Sequence, residues 1–367
     1  MDSITQAVLG STAGVASGGP RLGRRAAAWG AVGGTLPDLD IVAYPFLDSA
    51  GQLLFHRGIT HGVLFPFLAA PLIGWLVWRF YWWRGRTEDT WRAWTGVFFW
   101  AFATHAPLDA LTVYGTQLLA PFSPHPFAVS SVFIIDPVVT LAMAVGLVVS
   151  IRAGASPRAR RASLIGLGVA GIYLGAGVAM QAQARATVEA ALVQRGIEAE
   201  RLLVAAGPLS SFHWRGVALE DGQIHPFWLH VTDGPEAVTI EPSIPLAVLP
   251  PDLAASRTGS TLLWFSRGWL TEVPADSSRL GTEAEEGEPT LTVADVRFGR
   301  LGLDPTDPWV FAWRVDREPP FAFEQIPQVP SFGEGELARL LRRIVGADPP
   351  AAAAVPSRTP PPDSPSP

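Results

Sequence analysis

The feature that most restricts this chain is its alternation of long apolar runs with short connections that carry arginine. Residues 62–83, 91–113, 132–151 and 162–180 each approach the roughly 20 residues needed to cross a hydrocarbon core of about 30 Å. Residues 4–17 and 26–36 precede them and are rich in Gly and Ala. Small residues favour close helix packing over lipid contact, so these two read as short or inward-packed helices. The pattern predicts six membrane helices.

Arginine sets the predicted orientation. Arg21, Arg24 and Arg25, then Arg79, Arg84, Arg86 and Arg92, then Arg152, Arg158, Arg160 and Arg161 mark alternate connections as cytoplasmic. The intervening connections are nearly bare, with Arg57 the one basic residue in 43–60 and no Arg in 114–130. Everything after about Gln183 is therefore expected outside the cytoplasm.

Composition agrees with a membrane class: 48% of residues are hydrophobic and mean hydropathy is +0.25. The formal charge is −6, and the 27 basic residues are all dispersed arginines, which excludes a nucleic-acid footprint. With no cysteine, any metal must be held by nitrogen and oxygen. The start, MDSITQAVLG, has an acid where a secretory signal would be basic, so no cleaved leader is expected.

Beyond the apolar half the character changes. FWLHV, AVTIE, TLLWFS, LTVADVRF and WVFAWRV are short β-prone runs separated by Gly, Pro and Asp. The expected organisation is a helical membrane domain over 1–182, a connecting helix over 183–201, and a small antiparallel β-rich outer domain over 202–325. A short amphipathic helix over 333–346 and a disordered Pro/Ala-rich tail over 348–367 follow.

On this topology the polar residues of the apolar half collect on one side. His56 and His61 stand before the third helix, in FHRGITH. His105 and Asp109 share a helical face four residues apart, Asp38 and Asp40 end the second helix in TLPDLD, and Asp136 opens the fifth in FIIDPVV. Clustered carboxylates near hydrocarbon repel one another unless a cation or protons compensate. A divalent ion does so, and this donor set suits Zn, Mn or Fe. The candidate ligands are His56, His61, His105, Asp109 and Asp40, and the candidate catalytic groups are Asp38, Asp136 and Arg57. The alternative for Arg57 is snorkelling to headgroups or pairing with Asp48. Alternatives for the carboxylates are helix caps and turns.

MDSITQ, GTLPDLD, FHRGITH, TH-x3-D, YGT, FIIDP, SRGW and DVRFG, in this order, resemble the YdjM-like, LexA-regulated inner-membrane proteins, a family assigned as metal-dependent hydrolases. The resemblance implies a multi-pass inner-membrane protein. Members of the broader family often have histidine where this chain has Gln6, so Gln6 is left out of the ligand set. Metal-assisted hydrolysis of a membrane lipid or lipid-linked phosphoester is the expected function. Two other classes compete. One is a transporter using the same His and Asp. The other is an anchored envelope protein binding partners through Trp264, Trp269, Trp309 and Trp313.

Overall fold

In a computed structural model the described residues are 1–86, 88–273, 290–300, 307, 309–327 and 335–347. The tail expected over 348–367, and residues 333 and 334 of the expected short helix, lie outside them.

A helical half comes first: α1 (Ser3–Leu22), α2 (Arg24–Thr35), α3 (Ser49–Phe55), α4 (Phe65–Trp83), α5 (Trp91–Ala110), α6 (Pro137–Ala153) and α7 (Pro157–Gln194). Asp2, Thr90, Asp136 and Ser156 cap α1, α5, α6 and α7 by accepting first-turn N–H groups. Glycine brings α1 against α2 backbone to backbone. A Cβ at Gly10 would lie 2.3 Å from the Gly30 carbonyl oxygen, and one at Gly34 would lie 2.2 Å from that of Gln6. Trp94, Val97, Phe98 and Phe102 of α5 fill the space beneath this pair and are buried.

The arginine-bearing turns meet at one end of the bundle. Arg25 pairs with Asp89 at 2.5 Å, and Gly23 lies beside Ala155. The opposite ends of α2 and α5 carry Gly34, His105 and Asp109.

One described helix, Pro157–Gln194, is by itself long and apolar enough to cross a membrane. The segments Ser49–His61 and Phe65–Trp83, bent by 70°, pass only when taken together. Two physical features weaken the remaining expected spans: α6 has 17 residues, and α5 spends part of its length on His105, Asp109 and Thr104.

The expected span over 162–180 and the connecting helix after Gln183 are one continuous rod, about 57 Å long at 1.5 Å per residue. Its last turns carry Ala184, Val188, Ala191 and Leu192 into the core of a sheet. That sheet has the order β1 (Arg201–Ala206), β2 (His213–Glu220), β3 (Gln223–His230), β4 (Thr239–Ile240), with β5 (Ile244–Pro245) also on β3. Two short helices follow, α8 (Pro251–Ala255) and α9 (Arg257–Ser266). The second sheet runs β6 (Leu270–Glu272), β7 (Thr290–Asp295), β8 (Ala312–Asp316), β9 (Phe323–Gln325), and all pairings in both sheets are antiparallel. The last described helix is α10 (Glu336–Ile344).

TLLWFS, expected as a strand, is the body of α9. Ser256 accepts the Gly259 N–H as an N-cap, and Thr261, Leu262 and Phe265 bury one helical face. Trp269, Trp309 and Trp313, considered above as partner contacts, are buried in the outer domain, and Trp264 donates to the Pro124 carbonyl.

The β-rich domain packs on the helical half directly. Ala50 and Leu53 of α3 belong to the same core as Leu253, Leu262, Phe265 and Trp313. Tyr114, in the loop after α5, is ringed by Phe265, Phe298 and Phe311.

Candidate metal centre

The site forms where α1 begins and α2 and α5 end, beside two 3-10 segments, Leu36–Phe46 and Ile59–His61. Pro37 at the start of the first segment stops α2 and turns the chain, so that Asp38 points back over the bundle. The second segment is a single turn before α4 that delivers His61. His105 and Asp109, one helical turn apart, come from the same face of α5.

Four ligand atoms face one another. His61 Nε2 lies 3.0 Å from His105 Nε2, 3.3 Å from Asp38 Oδ1 and 3.2 Å from Asp109 Oδ2. His105 Nε2 lies 3.4 Å from both Asp38 Oδ1 and Asp109 Oδ2. All four fall within 4.8 Å of one another, and His61, His105 and Asp109 are buried. Ligands about 2.0–2.1 Å from a tetrahedral ion stand about 3.3 Å apart, so five of these separations match the edges of such a polyhedron.

The second nitrogens fix the rings. His105 Nδ1 is 2.7 Å from the Gly34 carbonyl, which can only accept, so a proton is on Nδ1 and Nε2 is left facing the centre. His61 Nδ1 is engaged by Thr60 Oγ1 at 3.0 Å. Burial works against the charge on Asp38, but its hydrogen bonds to His105 and His61 outweigh this and hold its carboxyl below the usual range.

Two orphaned acceptors test the fit of an ion. Asp109 Oδ2 and Gln6 Oε1 are buried with no hydrogen-bond partner. The other oxygen of Asp109 is well served: Gln6 Nε2 donates to it at 3.0 Å, the Met1 amino nitrogen contacts it, and Arg57 Nη2 lies 3.5 Å away. A buried carboxylate with one saturated oxygen, and another facing two imidazole Nε2 atoms without a hydrogen bond, is stable only if a cation or proton stands between them. This Asp/His/His/Asp group can therefore hold a metal ion.

The other sequence candidates fall in different places. Asp40 and His56, expected as ligands, bind each other at 2.9 Å through Oδ1 and Nδ1, and Asp40 Oδ2 accepts the Arg57 N–H. Both oxygens of Asp40 are thus spoken for. Asp38, expected as a catalytic carboxylate, stands among the four. Asp136 is not brought to the group: it caps α6 through Val138 and Val139 and accepts from the Tyr173 hydroxyl at 3.0 Å.

Arg57 neither snorkels nor pairs with Asp48, which binds Arg257 at 2.6 Å instead. It is buried, with a φ of 55°, a conformation a non-glycine residue adopts at a cost and often at functional sites. Its Nη1 donates to Thr112 Oγ1 at 3.2 Å, its guanidinium lies 4.6 Å from the Tyr114 ring centre, and its Nε has no partner.

The family model for the YdjM inner membrane protein matches residues 1–184. The chain belongs to that family. No curated protein and no solved structure matches it. The YdjM match contains all four facing ligands together with Asp40, His56, Arg57 and Gln6, and it ends within α7, before the first strand.

Sequence reasoning weighed Gln6 only as a ligand and left it out, whereas it donates to Asp109, and it missed Thr112, Tyr114 and the Gly34 carbonyl as parts of this centre. Gln6 and Tyr114 had a signal, since both lie in YdjM-like motifs, MDSITQ and YGT. A backbone carbonyl has none.

Proposed function

We propose that this protein is a multi-pass inner-membrane hydrolase that cleaves a lipid or lipid-linked phosphoester at the outer boundary of the bilayer. Zn, Mn or Fe would be held by Asp38, His61, His105 and Asp109. The observation that carries the reading is the set of inward-facing Nε2 and carboxylate atoms at 3.0–3.4 Å, with a buried Asp109 oxygen left without a hydrogen bond among them. Exposed apolar side chains on the outside of the bundle support a membrane-embedded bundle of α1, α2 and α4–α7: Leu68 and Leu72 on α4, Leu141 and Val145 on α6, Ile165 and Ile172 on α7. The gathering of arginine at the opposite end supports an outward-facing site.

When bound, the ion would acidify a water and polarise a phosphoryl oxygen. The remaining work belongs to side chains. Arg57 offers its unengaged Nε to the substrate anion, while Thr112 on Nη1 and Asp109 beside Nη2 hold the planar guanidinium in place. Asp40 orients His56 through Nδ1, so that His56 can take a proton from the attacking water. His56 and Asp38 are the partly exposed members of the site, with 18% and 20% of their side chains accessible, so substrate reaches the centre past them. Leu39, Ile41, Val42 and Phe46 expose their side chains beside Asp38, an apolar rim that suits a substrate arriving from lipid.

The test is metal analysis of detergent-purified protein beside His61→Ala, followed by turnover of phosphoester lipids by the loaded protein. Stoichiometric metal in the wild type and its loss in the variant are expected. Equal metal content in both would sink the reading.

A further inference from the structure

A groove of about 620 Å³ lies on the other side of α5 from the metal centre, between α1, α5, α6 and α7. Its volume falls in the range of ligand sites, about 300–1,000 Å³. Along α7 it extends from Arg160 to Leu174, which at 1.5 Å per residue is about 21 Å, longer than one leaflet's share of a core about 30 Å thick. The walls are almost wholly apolar, and Thr104, one of the few polar residues in them, already donates to the Trp100 carbonyl.

Its two ends differ. At the end toward Leu108 its lining joins a buried core in which Leu108 and Val139 pack with Met1 and Val132. At the other end stands Arg160, exposed, with no hydrogen-bond or ion-pair partner among the described residues. An apolar slot of acyl length with one unpaired guanidinium at one end is complementary to an anionic lipid.

We propose that this groove seats one acyl chain of an anionic phospholipid from the leaflet on the arginine side, with the lipid phosphate against Arg160. The site is distinct from the metal centre and does not depend on the hydrolytic reading.

The full chain, purified in detergent, is equilibrated with mixed micelles of phosphatidylglycerol and phosphatidylcholine in equal amounts. Lipid retained after washing is then counted by native mass spectrometry. Gly171 lines the groove, and a Cβ there meets nothing within 4 Å, so Gly171→Trp fills the slot without a backbone clash. Wild type is expected to retain one phosphatidylglycerol per chain. Gly171→Trp should lower retention about tenfold, because each displaced methylene removes a few-fold of binding. Arg160→Gln should keep a lipid but lose about fivefold of its headgroup preference, the share of one basic residue at an anionic surface. Should Gly171→Trp fail to fold, as judged by its melting temperature, Ala103→Leu narrows the same groove from α5 and is read the same way. The proposal is overturned by wild-type retention in the filled-groove variant, by equal retention of the two lipids in wild type, or by an unchanged preference in Arg160→Gln.

Discussion

Gly34 does two things at once, and replacing it by alanine separates them. Its Cα touches α1 so closely that an added Cβ would lie 2.2 Å from the Gln6 carbonyl oxygen and 3.1 Å from Gly10 Cα. Ordinary contact needs more than 3.4 Å, so the end of α2 must move away from α1 by about 1 Å, an overpacking that costs about 1–3 kcal/mol. The same residue's carbonyl holds His105 Nδ1 at 2.7 Å, and a shift of that size breaks or bends the bond. Loss of an outer hydrogen bond to a ligating imidazole typically weakens metal binding about 10–100-fold. Gly34→Ala should therefore melt lower and bind Zn about 10–100-fold more weakly in a competition titration against a chromophoric chelator. Gly171→Ala is the control: it lies in a helix with nothing within 4 Å of its Cβ, and should leave metal affinity unchanged while gaining up to about 1 kcal/mol of helix propensity. Wild-type Zn affinity in a destabilised Gly34→Ala would show that the carbonyl does not orient His105. An unchanged melting temperature would refute the close helix contact itself.

Arg57→Lys should keep the metal and lose most turnover, because lysine preserves charge but not a planar group that Thr112 and Asp109 hold while Nε stays free; metal analysis beside initial rates checks both halves. Arg297→Ala should cost about 3–5 kcal/mol in a denaturation series, since it strips a buried carboxylate, Asp295, of a partner 2.6 Å away. Burial, aided by the nearby charges of Arg343 and Arg215, pushes the His213 imidazole down to about 3. Above the ordinary histidine value of about 6.5 it contributes no pH dependence. Below that the unfolded chain takes up a proton the folded one refuses, so stability falls by about 1.4 kcal/mol per pH unit. Outer-domain melting followed from pH 7 to 4.5 should decline less steeply in His213→Gln, and parallel curves would count against the assignment. Reporter fusions at Arg86 and after Gly346 should read cytoplasmic and extracytoplasmic respectively, and matching signals from the two would overturn the orientation.

Much of the site was legible because ionisable groups are costly in an apolar half and must find one another. The i, i+4 spacing put His105 and Asp109 on one face, and the arginine pattern sent Asp38 and His61 to the same end. The roles within the cluster were not legible. Whether Asp38 or Asp40 faces the centre depends on how a 3-10 segment after Pro37 winds, and the two are separated by two residues, which neither period resolves. Asp136 followed by Pro137 has the form of an N-cap with Pro at N1, and that is what it is. In the outer domain TLLWFS has the composition of a strand, yet Ser256 and the burial of Thr261, Leu262 and Phe265 make it a helix. The unbroken run of α7 into the sheet was hidden because charged and polar residues enter at Gln181, Gln183 and Arg185, which end a membrane span but not a helix.

The ring of Phe265, Phe298 and Phe311 around Tyr114 has a consequence for biogenesis. The ribosome finishes all seven helices, and with them every candidate ligand, before it makes any of these three phenylalanines. Tyr114, which flanks Arg57, thus lacks these three neighbours through the interval, and that side of its pocket closes only when the β-rich domain has folded. Maturation of the centre is therefore vectorial: ligands first, then the wall beside the guanidinium. A chain arrested before Phe265 would carry the metal donors with an unsupported Arg57, so the cell would gain the cation site earlier than the means to position an anion against it.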